Sequence, residues 1–206
     1  MRALRNNLVS LSDERRELII AAARRCFLKY SLQKTTIDDI ARETGMARSG
    51  VYRYFANRED IVEAAMLRRM EEFIASSAKL MQGAKNLGDA LLKLSIATVD
   101  TGRNDPELRQ VFGEDGNIGI IDLLGGSRPA AQQIVMKFWK PALDRGRAAG
   151  DMRMDVSDDE AIEWMRGVYV ILILRKELNA KQERNLIEKF LIYSLLTPRA
   201  LNARRR

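Results

Sequence analysis

Residues 35–55, TTIDDIARETGMARSGVYRYF, restrict the fold more than any other stretch of the chain. Thr36 is a hydroxyl N-cap with an acid, Asp39, three residues on, so a capping box starts a helix near Ile37. Gly45 stops it, because glycine tolerates the left-handed conformation that closes a helix. A second short helix begins one or two residues later, with Val51 and Phe55 recurring at four-residue spacing. Two short helices joined by a glycine-containing turn form a helix-turn-helix, whose second helix can enter the major groove of DNA.

The chemistry of this segment points outward. From Gly45 to Arg58 there are three arginines, two tyrosines and no acid at all, a combination a segment that merely closed a core would not need. A helix from Ala47 exposes Arg48, Ser49, Tyr52 and Arg53, and turns Val51 and Phe55 inward. Arg48 can fork onto guanine O6 and N7, and the small Ser49 and Gly50 let the helix approach the groove floor. The hydroxyls of Tyr52 and Tyr54 can donate to phosphate, and Arg58 can neutralise one. Thr35 and Thr36 offer hydroxyls and free N–H groups at a helix start, a favourable place for phosphate. Taken singly, each arginine reads equally well as a solvated side chain and Thr36 as a plain cap; their concentration without an acid favours a polyanion.

Charge placement agrees. Of the net +7, residues 1–60 hold 12 Lys and Arg against 8 Asp and Glu, residues 61–203 hold 20 against 20, and Arg204 to Arg206 add three. A basic head on a neutral body fits a nucleic-acid-facing module, whereas the terminal arginines read as a solvated tail.

The remaining pattern is helical. Ser12, with Asp13 and Glu14, opens an amphipathic helix over 13–30 whose apolar face is Leu18, Ile19, Ala22, Ala23, Cys26, Phe27 and Tyr30. Asn57 caps a long helix to about Gln82, buried through Ile61, Ala65, Met66, Met70, Phe73 and Ile74. Further helices are expected near 87–101, 105–113, 128–149, 157–177 and 181–196; residues 113–127 show no regular period. Val168–Leu174 has strand-like β-branched content but no partner strand, so it reads as helix, apolar nearly all round and buried on both sides. Two such late helices suggest a subunit interface, formed by Met165, Tyr169 and Leu172 on one and Ile187, Phe190, Leu191 and Ser194 on the other.

Several classes drop out. The chain has no histidine, hence neither the commonest metal ligand nor the commonest general base, and its single cysteine, Cys26, excludes an internal disulfide. Asp158, Asp159, Glu160 and Glu163 read as an acid-rich first helical turn, so no enzyme, cofactor or metal is implied. With no run of about 18 apolar residues and no secretory block at the start, a cytoplasmic protein without a membrane span is expected.

The run TTIDDIARETGMARSGVYRYFANREDIV, within a match over residues 15–62, resembles the DNA-binding region of the TetR family of transcriptional regulators. The resemblance implies an all-α homodimer: a three-helix DNA-reading head at 1–57, and a long helix leading into a larger helical ligand-binding and dimerisation domain at 58–206. It implies double-stranded operator DNA and a small-molecule effector as partners, with Thr36, Arg48, Tyr52, Tyr54 and Arg58 on DNA and Arg48, Ser49 and Gly50 facing bases. Ala47, Ser49 and Gly50 depart from the serine, glycine and threonine frequent at those places. For the pocket it points to Leu94, Thr98, Phe112, Ile134, Phe138, Trp164 and Val168, and the lack of a charged constellation there favours a largely apolar effector. A repressor released by that effector is the leading expectation; an activator on the same fold, or a non-specific basic DNA binder, are the alternatives.

Overall fold

In the computed structural model the described residues are 2–111 and 129–204, and among them there is no β-strand, only an isolated bridge between Met152 and Leu196. Phe112, residues 113–127 and the last two arginines lie outside the described residues. The chain divides into two compact units, Met1–Arg69 and Met70–Arg206.

The first unit holds α1 (Arg2–Tyr30), α2 (Ile37–Thr44), α3 (Arg48–Tyr52) and the first half of α4 (Arg58–Gln82). Helix α1 starts well before Ser12, because residues 2–11 contain neither glycine nor proline to interrupt it. Its buried face is Ile19, Ile20, Ala22, Ala23, Cys26 and Phe27, whereas Leu18 and Tyr30 stand outside. Helix α2 begins on the expected capping box: the Asp39 N–H donates to Thr36 Oγ1 at 3.2 Å and the Thr36 N–H donates to Asp39 Oδ2 at 3.0 Å. It ends at Gly45, whose φ of 70° is the left-handed conformation that glycine adopts without penalty. Val51 of α3 and Phe55 after it are buried, as are Ile61 and Ala65 of α4. The Asp60 N–H donates to Asn57 Oδ1 at 2.8 Å, so Asn57 caps α4.

The second unit holds the rest of α4, then α5 (Leu87–Asn104), α6 (Pro106–Val111), α7 (Pro129–Ala148) and α8 (Asp158–Leu174). Helix α9 runs from Ala180 to Leu186, continues as a π-helical segment over Ile187–Ile192 and closes at Tyr193–Leu195; α10 is Pro198–Arg204. Their core joins Leu91 and Leu94 of α5, Trp139 and Leu143 of α7, Met165 and Leu172 of α8, and Ile187 and Leu191 of α9. Gly102 of α5 lies where a Cβ would come within 2.5 Å of Ile173 Cδ1, so the close approach of α5 to α8 depends on glycine there. Ser157 and Glu160 cap α8 reciprocally, which fixes the start of the helix that the sequence predicts through Val168–Leu174. None of the helices described is long and apolar enough to cross a membrane.

Candidate functional site

Thr36, Arg48, Tyr52 and Arg58 line one open cleft of the first unit, with Asp38 and Asn57 beside them. The capping box places Thr36 at the head of α2, and the tight turn at Gly45 brings α3 back so that Arg48 faces it. Arg48 is exposed and pinned on two sides: its Nη1 donates to Asp38 Oδ2 at 3.0 Å and its Nη2 to the Tyr52 hydroxyl at 3.3 Å, with the guanidinium over the Tyr52 ring. These contacts raise its pKa, through the Tyr52 hydrogen bond first and the Asp38 charge second. Ser49 is exposed next to Arg48, and Gly50 packs near the flexible end of Met46. Arg53 and Tyr54 lie on a second shallow cleft with Leu11, Ser12 and Arg15.

Two expected contacts carry a different task. Thr35 is buried, and its hydroxyl donates to the Ser31 carbonyl at 2.7 Å, so it cannot also reach a phosphate. Arg58 is largely covered; its Nε donates to the Thr35 carbonyl at 2.8 Å and its Nη2 to the Leu32 carbonyl. It therefore clamps the α1–α2 loop that presents Thr36. Thr36 remains exposed, although its hydroxyl is donated to Asp39 at 2.6 Å; that bond, with the backbone one, lowers the Asp39 pKa.

The second unit contains an apolar cavity of about 130 Å³. Leu94, Thr98 and Phe138, three of the expected pocket residues, line it together with Phe73, Ile74, Val135, Trp139, Ile162, Met165, Arg166 and Tyr169. Phe138 meets Trp139 edge to face at 5.8 Å. The buried hydroxyls of Tyr169 and Ser95 share a hydrogen bond of 3.1 Å, and burial pushes the Tyr169 pKa up to about 12. Ile134 and Val168 belong to the same helices without reaching the cavity wall, and Trp164 stands outside, 47% exposed, donating from Nε1 to the Phe190 carbonyl at 3.1 Å.

The expected interface splits likewise. Met165, Tyr169, Leu172, Ile187 and Leu191 are buried in this chain's own core and cannot also face a second copy. Ser194 is half-buried and its hydroxyl is donated to the Leu191 carbonyl at 2.8 Å. Phe190 is exposed, and with Trp164, Ile171, Leu174 and Tyr193 it makes an apolar outer face that the sequence placed one step around the helix.

Sequence reasoning missed Asp38 as the partner of Arg48, and Arg166 in the cavity wall. Arg166 did have a signal: it is the last charge before the eight apolar or neutral residues 167–174.

The model of bacterial regulatory proteins of the tetR family matches residues 19–65. Among curated relatives, the chain is 20% identical over 133 residues to YhgD of Bacillus subtilis, an uncharacterized HTH-type transcriptional regulator, covering 65% of each protein. It is 26% identical over 115 residues to YfiR of the same organism, also an uncharacterized HTH-type regulator, covering 48% of this chain and 56% of that one. The chain thus spans less than two thirds of the length of these two relatives. Of solved structures, RolR in complex with resorcinol superposes with a TM-score of 0.70 at 16% identity, over 96% of this chain and 94% of that one, a likeness of fold. With its helix-turn-helix at 37–52, the stretch 19–65 is similar to the DNA-binding region of the tetR family of bacterial regulatory proteins, and the all-helical second unit shares the fold of the solved RolR structure.

Proposed function

We propose that the chain is a sequence-specific DNA-binding regulator of transcription, acting in the cytoplasm as a homodimer that represses from a palindromic operator until a small, largely apolar effector enters the cavity. The observation that carries the DNA reading is the convergence of Thr36, Arg48 and Tyr52 on one exposed cleft of the helix-turn-helix. In this reading Arg48 and Ser49 meet base edges, Gly50 lets them approach, and Tyr52, Arg53, Tyr54 and Thr36 hold phosphates. Residues 1–57 form the DNA-binding domain and 58–206 the effector and dimerisation domain.

Helix α4 carries the signal. Its early residues Ile61 and Ala65 are buried in the head, and its later residues Phe73 and Ile74 line the cavity. An effector that binds one position of that wall better than another shifts the balance between two conformers, and can do so only by its difference in affinity. Such couplings are typically about 1–3 kcal/mol and reciprocal, so operator DNA weakens effector binding by the same factor.

The test is binding of the purified protein to the DNA flanking its own gene against a scrambled duplex, at low and near-physiological salt. Preference for the native fragment that survives added salt is expected. Equal, salt-fragile binding to both duplexes would replace the reading by that of a non-specific basic binder.

A further inference from the structure

Among the described residues the cavity is small, apolar and lined by one cation, Arg166. Its volume, about 130 Å³, is close to that of the engineered apolar cavity of about 150 Å³ that takes up benzene. One ring with one small substituent matches that volume, and a long acyl chain exceeds it. Its walls suit a ring on every side: Phe138 and Trp139 offer aromatic edges, and Leu94, Val135 and Ile162 aliphatic surface.

Arg166 sits in this wall with its side chain only 15% exposed, an unfavourable place for a guanidinium without full compensation. Its ion partner is Glu163, whose own side chain is 67% exposed and so gives much of its charge to water. Burial lowers the Arg166 pKa, as expected of a cation short of compensation. A guanidinium has five donors and Glu163 is met through Nη2, so the group has the capacity to take a second carboxylate beside it.

We infer that the effector is a monocyclic aromatic carboxylate, its ring in the apolar chamber and its carboxylate on Arg166. The inference rests on the effector-regulated reading above and names the chemistry of its cavity. Arg166 sets specificity by leaving a neutral analogue facing an unmatched cation, while the apolar walls contribute to any ring of the right size.

The experiment is calorimetric titration of the full chain with sodium benzoate, its neutral isostere benzamide, and decanoate, repeated with Arg166→Gln and Val135→Phe. Saturable benzoate binding at least roughly ten-fold tighter than benzamide is expected, from the strength of a charge-assisted bidentate pair. Arg166→Gln should bring benzoate down to the benzamide level, and Val135→Phe, which fills the chamber, should remove both. Helical circular dichroism and thermal unfolding check that each variant folds. Equal affinity for benzoate and benzamide, tighter binding of decanoate, or an Arg166→Gln variant that folds and keeps the preference would each overturn the assignment. If benzoate does not bind while operator preference persists, the effector assignment alone falls; if operator preference is absent while benzoate binds as expected, the regulator reading alone falls.

Discussion

Arg48, the exposed guanidinium at the start of the recognition helix, is held 3.0 Å from the carboxylate of Asp38 on the preceding helix. In the free protein that carboxylate stands where a phosphate or guanine would compete for the same fork, and it adds repulsion toward DNA. Asp38→Asn should therefore tighten binding to operator and scrambled duplex alike by roughly two- to five-fold, with anisotropy titration at fixed salt as the readout. Arg48→Ala should weaken operator binding roughly ten- to one-hundred-fold and relax base preference. Unchanged affinity in both variants would remove α3 from the DNA contact.

Arg58 separates clamping from phosphate binding. If it works through the carbonyls of Leu32 and Thr35, Arg58→Ala leaves two acceptors without their charged donor and destabilises the head by about 1–3 kcal/mol. Amide exchange in residues 31–36 should speed up, while the slope of log affinity against log salt stays as in the parent. A slope reduced by about one, with unchanged exchange, would return Arg58 to the phosphate contacts.

These two arginines also show where sequence reading ends. The starts of α2 and α4 were legible because caps are local, Thr36 with Asp39 and Asn57 with Asp60 being three residues apart, whereas α1 begins at Arg2, ahead of the cap expected at Ser12. The partners of Arg58 lie 23 and 26 residues away, so nothing in its neighbourhood distinguished it from a solvated arginine. On α8 the difficulty was different. Both sides of residues 164–174 are apolar, and periodicity cannot choose between Met165, Tyr169 and Leu172, which turned inward, and Trp164, Ile171 and Leu174, which did not. The same ambiguity hid Met165 and Tyr169 from the cavity they line.

Arg103 ties three helical segments of the second unit together. Its Nη1 pairs with the nearly buried Glu183 at 2.5 Å and its Nη2 donates to the carbonyls of Leu172 and Arg175, at 2.5 and 3.1 Å, where α8 ends. Its Nε is buried without a partner, so the site is already incompletely compensated. Arg103→Leu should cost about 3 kcal/mol in chemical denaturation, because Glu183 is left charged and covered. Adding Glu183→Leu should recover most of that loss; a double variant no more stable than the single would show that the carbonyl bonds, not the ion pair, carry the effect.

Acid should act on the second unit through Asp158. Burial favours its neutral form, but hydrogen bonds from Arg147 and Lys140 outweigh this, and its pKa lies below the ordinary 3.8. A lowered native pKa means stability that is complete above 3.8 and is lost as pH falls through the native value. Thermal unfolding of the parent should decline below about pH 4, and Asp158→Asn should be less stable at neutral pH with a shallower acid decline. Parallel pH profiles for the two proteins would assign the acid sensitivity elsewhere.

In the homodimer proposed above, the two copies would meet on the outer face of α8 and α9. Trp164, Ile171 and Leu174 recur along α8 at helical spacing, and Phe190 and Tyr193 extend the patch on α9, each at least 39% exposed. An operator palindrome needs two heads related by a twofold axis, and a face that pairs with its own copy supplies one. Ile171→Glu and Phe190→Glu each put a charge at the middle of that pairing while leaving the core residues Met165 and Leu191 in place. Sedimentation should then show monomer at concentrations where the parent is a dimer, with helical content unchanged, and operator affinity should fall because one head alone reads half a site. A dimer that persists in both variants would move the interface away from this face.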